Sequence, residues 1–209
     1  MRKQRIRQGL TLIELVVALT LTGLALTSGY AAFMTLVDRR EASSAHSAAV
    51  TRAAAVRSTL VAWLANARLT IEEDDIVFQG IDGTKRLDSG EIPDDELTFL
   101  TSAPTPVSSN GTIVRLHIDR SDATPEKGLV AELVAWKGTR AERMELVPNA
   151  GGLDVHYLSG MMGARRWLPS WVSTTLLPLG AQIGLVAAVG DSLPPLFQLP
   201  ITVSFESGR

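Results

Sequence analysis

The sequence predicts an α+β protein: a long N-terminal helix, membrane-spanning in its first half and amphipathic in its second, packed on an antiparallel β-sheet domain. Three observations carry this. No proline occurs before Pro93, apolar residues recur at helical spacing to about residue 67, and beyond that point the spacing changes to strict alternation between proline and glycine clusters.

Composition sets the outer limits. The chain has 209 residues, 45% hydrophobic and 20% charged, close to the globular average, so any membrane part is local. With no cysteine, a lipoprotein anchor, a disulfide framework and a thiol nucleophile are excluded together. Removal of residues 1–9 takes four of the 20 basic residues, leaving 16 against 22 acidic, or −6. A mildly acidic body lacks the concentrated basic footprint that a nucleic-acid partner requires.

The first element is a basic leader, residues 1–9, with Arg2, Lys3, Arg5 and Arg7. In the apolar segment that follows, 10–37, Glu14 is the single charge. Residues 15–37 carry none, and these 23 positions span roughly 35 Å as a helix, against about 30 Å of bilayer hydrocarbon. Asp38, Arg39, Arg40 and Glu41 follow with mixed sign, so the positive-inside rule puts the N-terminus in the cytoplasm and the rest of the chain outside. A cleaved secretory signal has a shorter apolar core, and Ser28-Gly29-Tyr30-Ala31 is a poor cleavage site.

Glu14 is costly near the start of a spanning helix, by up to about 3 kcal/mol, and calls for a partner. A cut between Gly9 and Leu10 supplies one. Leu10 then bears a new amine four residues from Glu14, available to the same chain or a neighbour.

Residues 38–68 form the second half of the helix. Ala49, Ala53, Val56, Leu60, Trp63, Leu64 and Ala67 draw one stripe, with Arg57 and Ser58 largely outside it. Residues 69–209 form the β-rich domain. Val114, Leu116 and Ile118 alternate with Arg115, His117 and Asp119, and Leu199, Ile201, Val203 and Phe205 alternate with Pro200, Thr202, Ser204 and Glu206. Residues 97–101, 129–136, 153–158 and 182–189 are further strand candidates, separated by Pro104-Thr105-Pro106, Asn110-Gly111, Asn149-Ala150-Gly151-Gly152 and Pro194-Pro195.

Arg7-Gln8-Gly9-Leu10-Thr11-Leu12-Ile13-Glu14-Leu15-Val16 resembles the N-terminal signal of type IV prepilins and type II secretion pseudopilins. The resemblance implies a pilin-like fold, cleavage after Gly9 by a prepilin peptidase, N-methylation of Leu10 and a filament-assembly role for Glu14. Leu10 stands where the family most often has Phe. The strand-rich body, with Asp94-Asp95-Glu96-Leu97-Thr98-Phe99-Leu100 and the 167–171 segment, looks like the J-type minor pseudopilins. That likeness implies a place at the filament tip beside I, K and H types and above the major pseudopilin, on an inner-membrane secretion platform whose ATPase is another chain. A minor pilin of a type IV pilus, serving adhesion, motility or DNA uptake, shares the same leader and helix. A membrane-anchored periplasmic enzyme is the reading from another class; it predicts ionisable groups clustered in a pocket.

Candidate chemistry is sparse, and no catalytic residue, cofactor or metal site is assigned. His46, His117 and His156 have no ligand spacing and read as polar surface residues. Ser159-Gly160 and Ser207-Gly208 lack the flanking glycine of a nucleophile elbow. Glu72-Glu73-Asp74-Asp75 and Asp94-Asp95-Glu96 read as solvated turns, although the family's major subunits bind calcium. Trp136, Trp167 and Trp171 read as core.

Overall fold

The computed structural model describes residues 11–69, 78–88, 90–160 and 164–205. Glu72-Glu73-Asp74-Asp75, Glu206 and Ser207-Gly208 lie outside them. Contacts divide the chain into two compact units that meet in sequence at Ala48 and Ala49, and helix α1, Leu12–Ala65, passes from one to the other.

In the first unit every described residue through Leu36 is exposed. The hydroxyls in this stretch turn inward on their own helix: Thr22 donates to the Ala18 carbonyl at 2.7 Å, Ser28 to Leu24 at 2.8 Å and Thr35 to Ala31 at 2.9 Å. Satisfied in this way, they leave an outer surface that is apolar in effect and compatible with lipid.

The second unit begins with the amphipathic turns of α1. Ala53, Leu60, Trp63 and Leu64 are buried, as their spacing predicts, while Ala49 is exposed. Arg57 departs from the expectation that it lies off the packed side. It is half-buried, and its guanidinium donates to the carbonyls of Leu196 (2.8 Å), Leu199 (3.1 Å) and Pro200 (2.9 Å). The helix also ends at Ala65, three residues short of the expected 68. Ala67–Arg68 form strand β1, pairing with Thr101 and Leu100, and Thr101 Oγ1 donates to the Trp63 carbonyl at 2.8 Å.

The remaining strands are β2 (Phe78–Ile81), β3 (Thr84–Leu87), β4 (Gly90–Pro93), β5 (Glu96–Thr101), β6 (Thr112–Asp119), β7 (Gly128–Ala135), β8 (Ala141–Val147), β9 (Ala150–Ser159), β10 (Arg166–Leu168), β11 (Trp171–Ser173), β12 (Gly180–Ala187) and β13 (Ile201–Ser204). Among the described residues they make a seven-stranded sheet in the order β11-β2-β5-β6-β7-β8 with β1 on β5, a four-stranded sheet β10-β9-β12-β13, and the hairpin β3-β4. Every named strand pair is antiparallel.

Alternation decides which face is packed. Leu97, Phe99, Val114, Leu116, Leu129, Ala131 and Leu133 of the large sheet share one core with Leu153, Val155, Tyr157, Ala181 and Ile183 of the small one. At its centre Phe78 meets Tyr157 and Phe205 edge to face, at centroid distances of 6.1 and 5.4 Å, an arrangement that ring quadrupoles favour. Tyr157 lies so close to Gly80 that a Cβ there would fall 1.9 Å from its Oη. Glycine at position 80 is thus a packing requirement of the core.

The wet face of the large sheet carries charge in cross-strand register. Thr98, Arg115, Glu132 and Arg143 lie side by side, Arg115 reaching Glu96 at 2.7 Å and Glu132 at 3.4 Å. Arg143 pairs with Asp119 and lies 3.6 Å from Glu132. The more exposed of these pairs, Arg115 with Glu96 and Glu132, are each worth about 1 kcal/mol or less, but they keep this face soluble.

Candidate assembly site at the helix start

Gly9 and Leu10, the expected cleavage and methylation positions, lie outside the described residues; Thr11 and Glu14 open the described chain. Thr11 N–H and Thr11 Oγ1 both donate to Glu14 Oε2 at 3.1 Å, and the Glu14 N–H donates to Thr11 Oγ1 at 3.4 Å. This is a capping box: the first residue and the one three positions on satisfy each other's unpaired donors at the helix start. Glu14 therefore has a partner in its own chain besides the amine that cleavage would create. Thr11 is the residue that sequence reasoning missed, and the Thr-x-x-Glu spacing ahead of an apolar run is the signal that would have found it.

Glu14 also stands at the N-terminal, partially positive end of a helix 54 residues long, where a carboxylate is favoured. From Leu12 to Leu36 the large apolar side chains are exposed, and the helix is long and apolar enough to cross a membrane by length and composition. Exposed apolar surface on that scale marks contact with lipid or with other chains.

The other candidates fall elsewhere. His46 is exposed on α1, His117 lies 3.8 Å from Glu132 on the large sheet, and His156 lies 3.2 Å from Asp154 on the small one. No three His, Asp or Glu side chains come together as a ligand set among the described residues. Asp94-Asp95-Glu96 is not a solvated turn. Asp94 accepts from Arg120 at 2.7 Å, Asp95 from the amides of Gly83 and Val155 at 2.9 and 2.7 Å, and Glu96 from Arg115 at 2.8 Å. The cluster is used up in fastening the β3-β4 hairpin and β9 to the large sheet.

The titratable groups displaced from their ordinary values have structural causes. Burial pushes the Asp95 carboxyl up against the pull of its two amides, and burial likewise pushes the Tyr157 phenol up. The Arg115 guanidinium holds Glu96 below its usual range, while the Ser121 amide, ahead of Thr124 and Arg143, holds Asp119 down. Each of these shifts is explained by burial, hydrogen bonds or ion pairs within the fold. The tryptophans divide: Trp171 is buried, Trp136 half-buried and Trp167 43% exposed, contrary to the expectation that all three are core.

Residues 4–30 match the family described as "Prokaryotic N-terminal methylation motif". No curated protein matches the chain. Among solved structures it is similar, at 15% identity and a TM-score of 0.49, to a chain of the GspK-GspI-GspJ complex from the enterotoxigenic Escherichia coli type 2 secretion system, over 77% of this chain and 99% of that one. The chain thus joins a prepilin-type methylation motif on an exposed apolar helix to an antiparallel β body.

Proposed function

We propose that this chain is a minor pseudopilin of a type II secretion system, cleaved after Gly9, methylated on Leu10 and assembled through α1 into a short filament that helps export folded proteins through the outer membrane. The observation that carries this reading is the coincidence of the methylation motif with a helix start where Glu14 is the one charge before an exposed apolar run. The chain crosses the inner membrane once, N-terminus in the cytoplasm, and its β body lies in the periplasm. Its partners are the prepilin peptidase, the secretion platform, the major pseudopilin and minor subunits of I, K and H type. The large strand-rich body favours the J type, at the tip. Its work is mechanical, with energy supplied by another chain.

Mass spectrometry of the mature N-terminus tests the processing. The expected chain begins at Leu10, methylated, and appears only in cells that contain the peptidase; an intact leader in a secreting cell overturns the reading. Glu14→Gln separates the two roles of the acid, because it keeps a side-chain acceptor for the Thr11 amide while deleting the charge. The expected result is a folded body with filament incorporation reduced tenfold or more, corresponding to about 1.4 kcal/mol. Normal incorporation would show that the charge is not needed.

A further inference from the structure

The small sheet carries a groove on the face turned away from the core. Trp167 of β10, Asp154 and His156 of β9, Gln182 and Gly184 of β12, and Pro200 just ahead of β13 line an open space of about 430 Å³ that crosses the strands. Register puts these groups together. Asp154 and His156 alternate with buried Leu153, Val155 and Tyr157, while Gln182 and Gly184 alternate with buried Ala181 and Ile183. The cross-strand pairs His156–Gln182 and Asp154–Gly184 then lie side by side, with Trp167 opposite Leu158 at one wall.

Gly184 is the informative residue. Its φ is not positive, and a Cβ added there would meet nothing nearer than Asp154 at 3.6 Å, an ordinary contact. Neither backbone nor packing requires glycine, although glycine weakens a strand interior. What it provides is a low floor in the open space that the exposed indole of Trp167 also lines, the situation in which glycine admits close approach of a ligand.

We propose that this groove binds a neutral sugar ring of a saccharide. A sugar ring has an apolar C–H face and a rim of hydroxyls, each both donor and acceptor. The indole of Trp167 covers the first; Gln182, His156 and Asp154 supply donors and acceptors in a row for the second. A basic side chain is the poorer occupant, because it carries donors only and would use Asp154 alone, whereas a hydroxyl, both donor and acceptor, also serves the donors of Gln182 and His156. An added peptide strand is poorer too, since the groove runs across the strands and offers no edge ladder. The inference does not rest on the secretion reading.

The test uses the full chain in phospholipid nanodiscs, with ligand-observed saturation-transfer NMR against maltohexaose, cellohexaose and the tetramer of N-acetylglucosamine. At least one is expected to saturate with a Kd below about 10 mM. Trp167→Ala should weaken that binding about tenfold or more, and Trp167→Phe should keep most of it. Gly184→Val should abolish it while leaving the thermal midpoint unchanged or higher, because valine suits a strand and fills only the groove floor. The proposal fails if none of the three saturates, if Trp167→Ala and Gly184→Val leave binding intact, or if an oligolysine peptide saturates the groove and the saccharides do not.

Discussion

The two ends of helix α1 use the same residue types to opposite purposes. In the first unit Leu12, Leu19, Leu26 and Phe33 are 61–83% exposed, whereas Leu60 and Leu64 in the second are fully buried. Leucine is thus no guide to the core by itself; what distinguishes the two stretches is the company of charge. Residues 15–37 have no charged face to turn toward water, so the whole circumference needs an apolar surrounding, while residues 49–67 have one face for the sheet and one for solvent. The body buries its apolar residues in its own core, and the N-terminal helix leaves its apolar ones for others.

Paired substitutions sharpen this contrast most. Leu60→Ala should destabilise the body by about 2–5 kcal/mol in chemical denaturation, because it empties a sealed site. Leu26→Ala, the same change on the same helix, should shift the body by less than about 0.5 kcal/mol. Equal effects at both positions would break the comparison. Within the body, Gly80→Ala should cost about 1–3 kcal/mol, since its methyl collides with the Tyr157 phenol. A wild-type melting curve for that variant would show that the ring can move aside.

The smallest expected effect is on pH dependence. Asp119 and Glu96 are held below their ordinary values of 3.8 and 4.5, so the stability they contribute is complete above those values and is lost as pH falls through their lower folded ones. Asp95, pushed above 3.8, acts with the opposite sign, its contribution present below that value and lost as pH rises through the folded one. Thermal melts between about pH 2 and 6 should therefore show a decline on acidification that Asp119→Asn makes shallower. An unchanged slope in that variant would assign the decline to other carboxylates.

Much of the fold is legible because period alone reveals it. β5, β6, β7, β9, β12 and β13 all overlap segments whose alternation predicts them. β8 is illegible for a physical reason: Ala141, Glu142, Arg143, Met144 and Glu145 are good helix formers, and the segment is a strand because it borders β7, its charges protecting a free edge. β10 and β11, three residues each, exist only through the strands they pair with. Asp95 reads as solvent-exposed because its amide partners, Gly83 and Val155, come from 12 and 60 residues away. At the helix start the charge of Glu14 is legible from its isolation in an apolar run, and its capping partner Thr11 from the Thr-x-x-Glu spacing.

Arg57 imposes an order of events on biogenesis. Its guanidinium needs carbonyls 139, 142 and 143 positions downstream, so the helix that the ribosome makes first cannot complete its bonding until nearly the whole polypeptide has emerged. Contacts of such separation are among the last to form. During that interval the Arg57 guanidinium lacks these three acceptors, and a nascent chain stalled before residue 196 would leave the helix unfastened to the 196–200 segment.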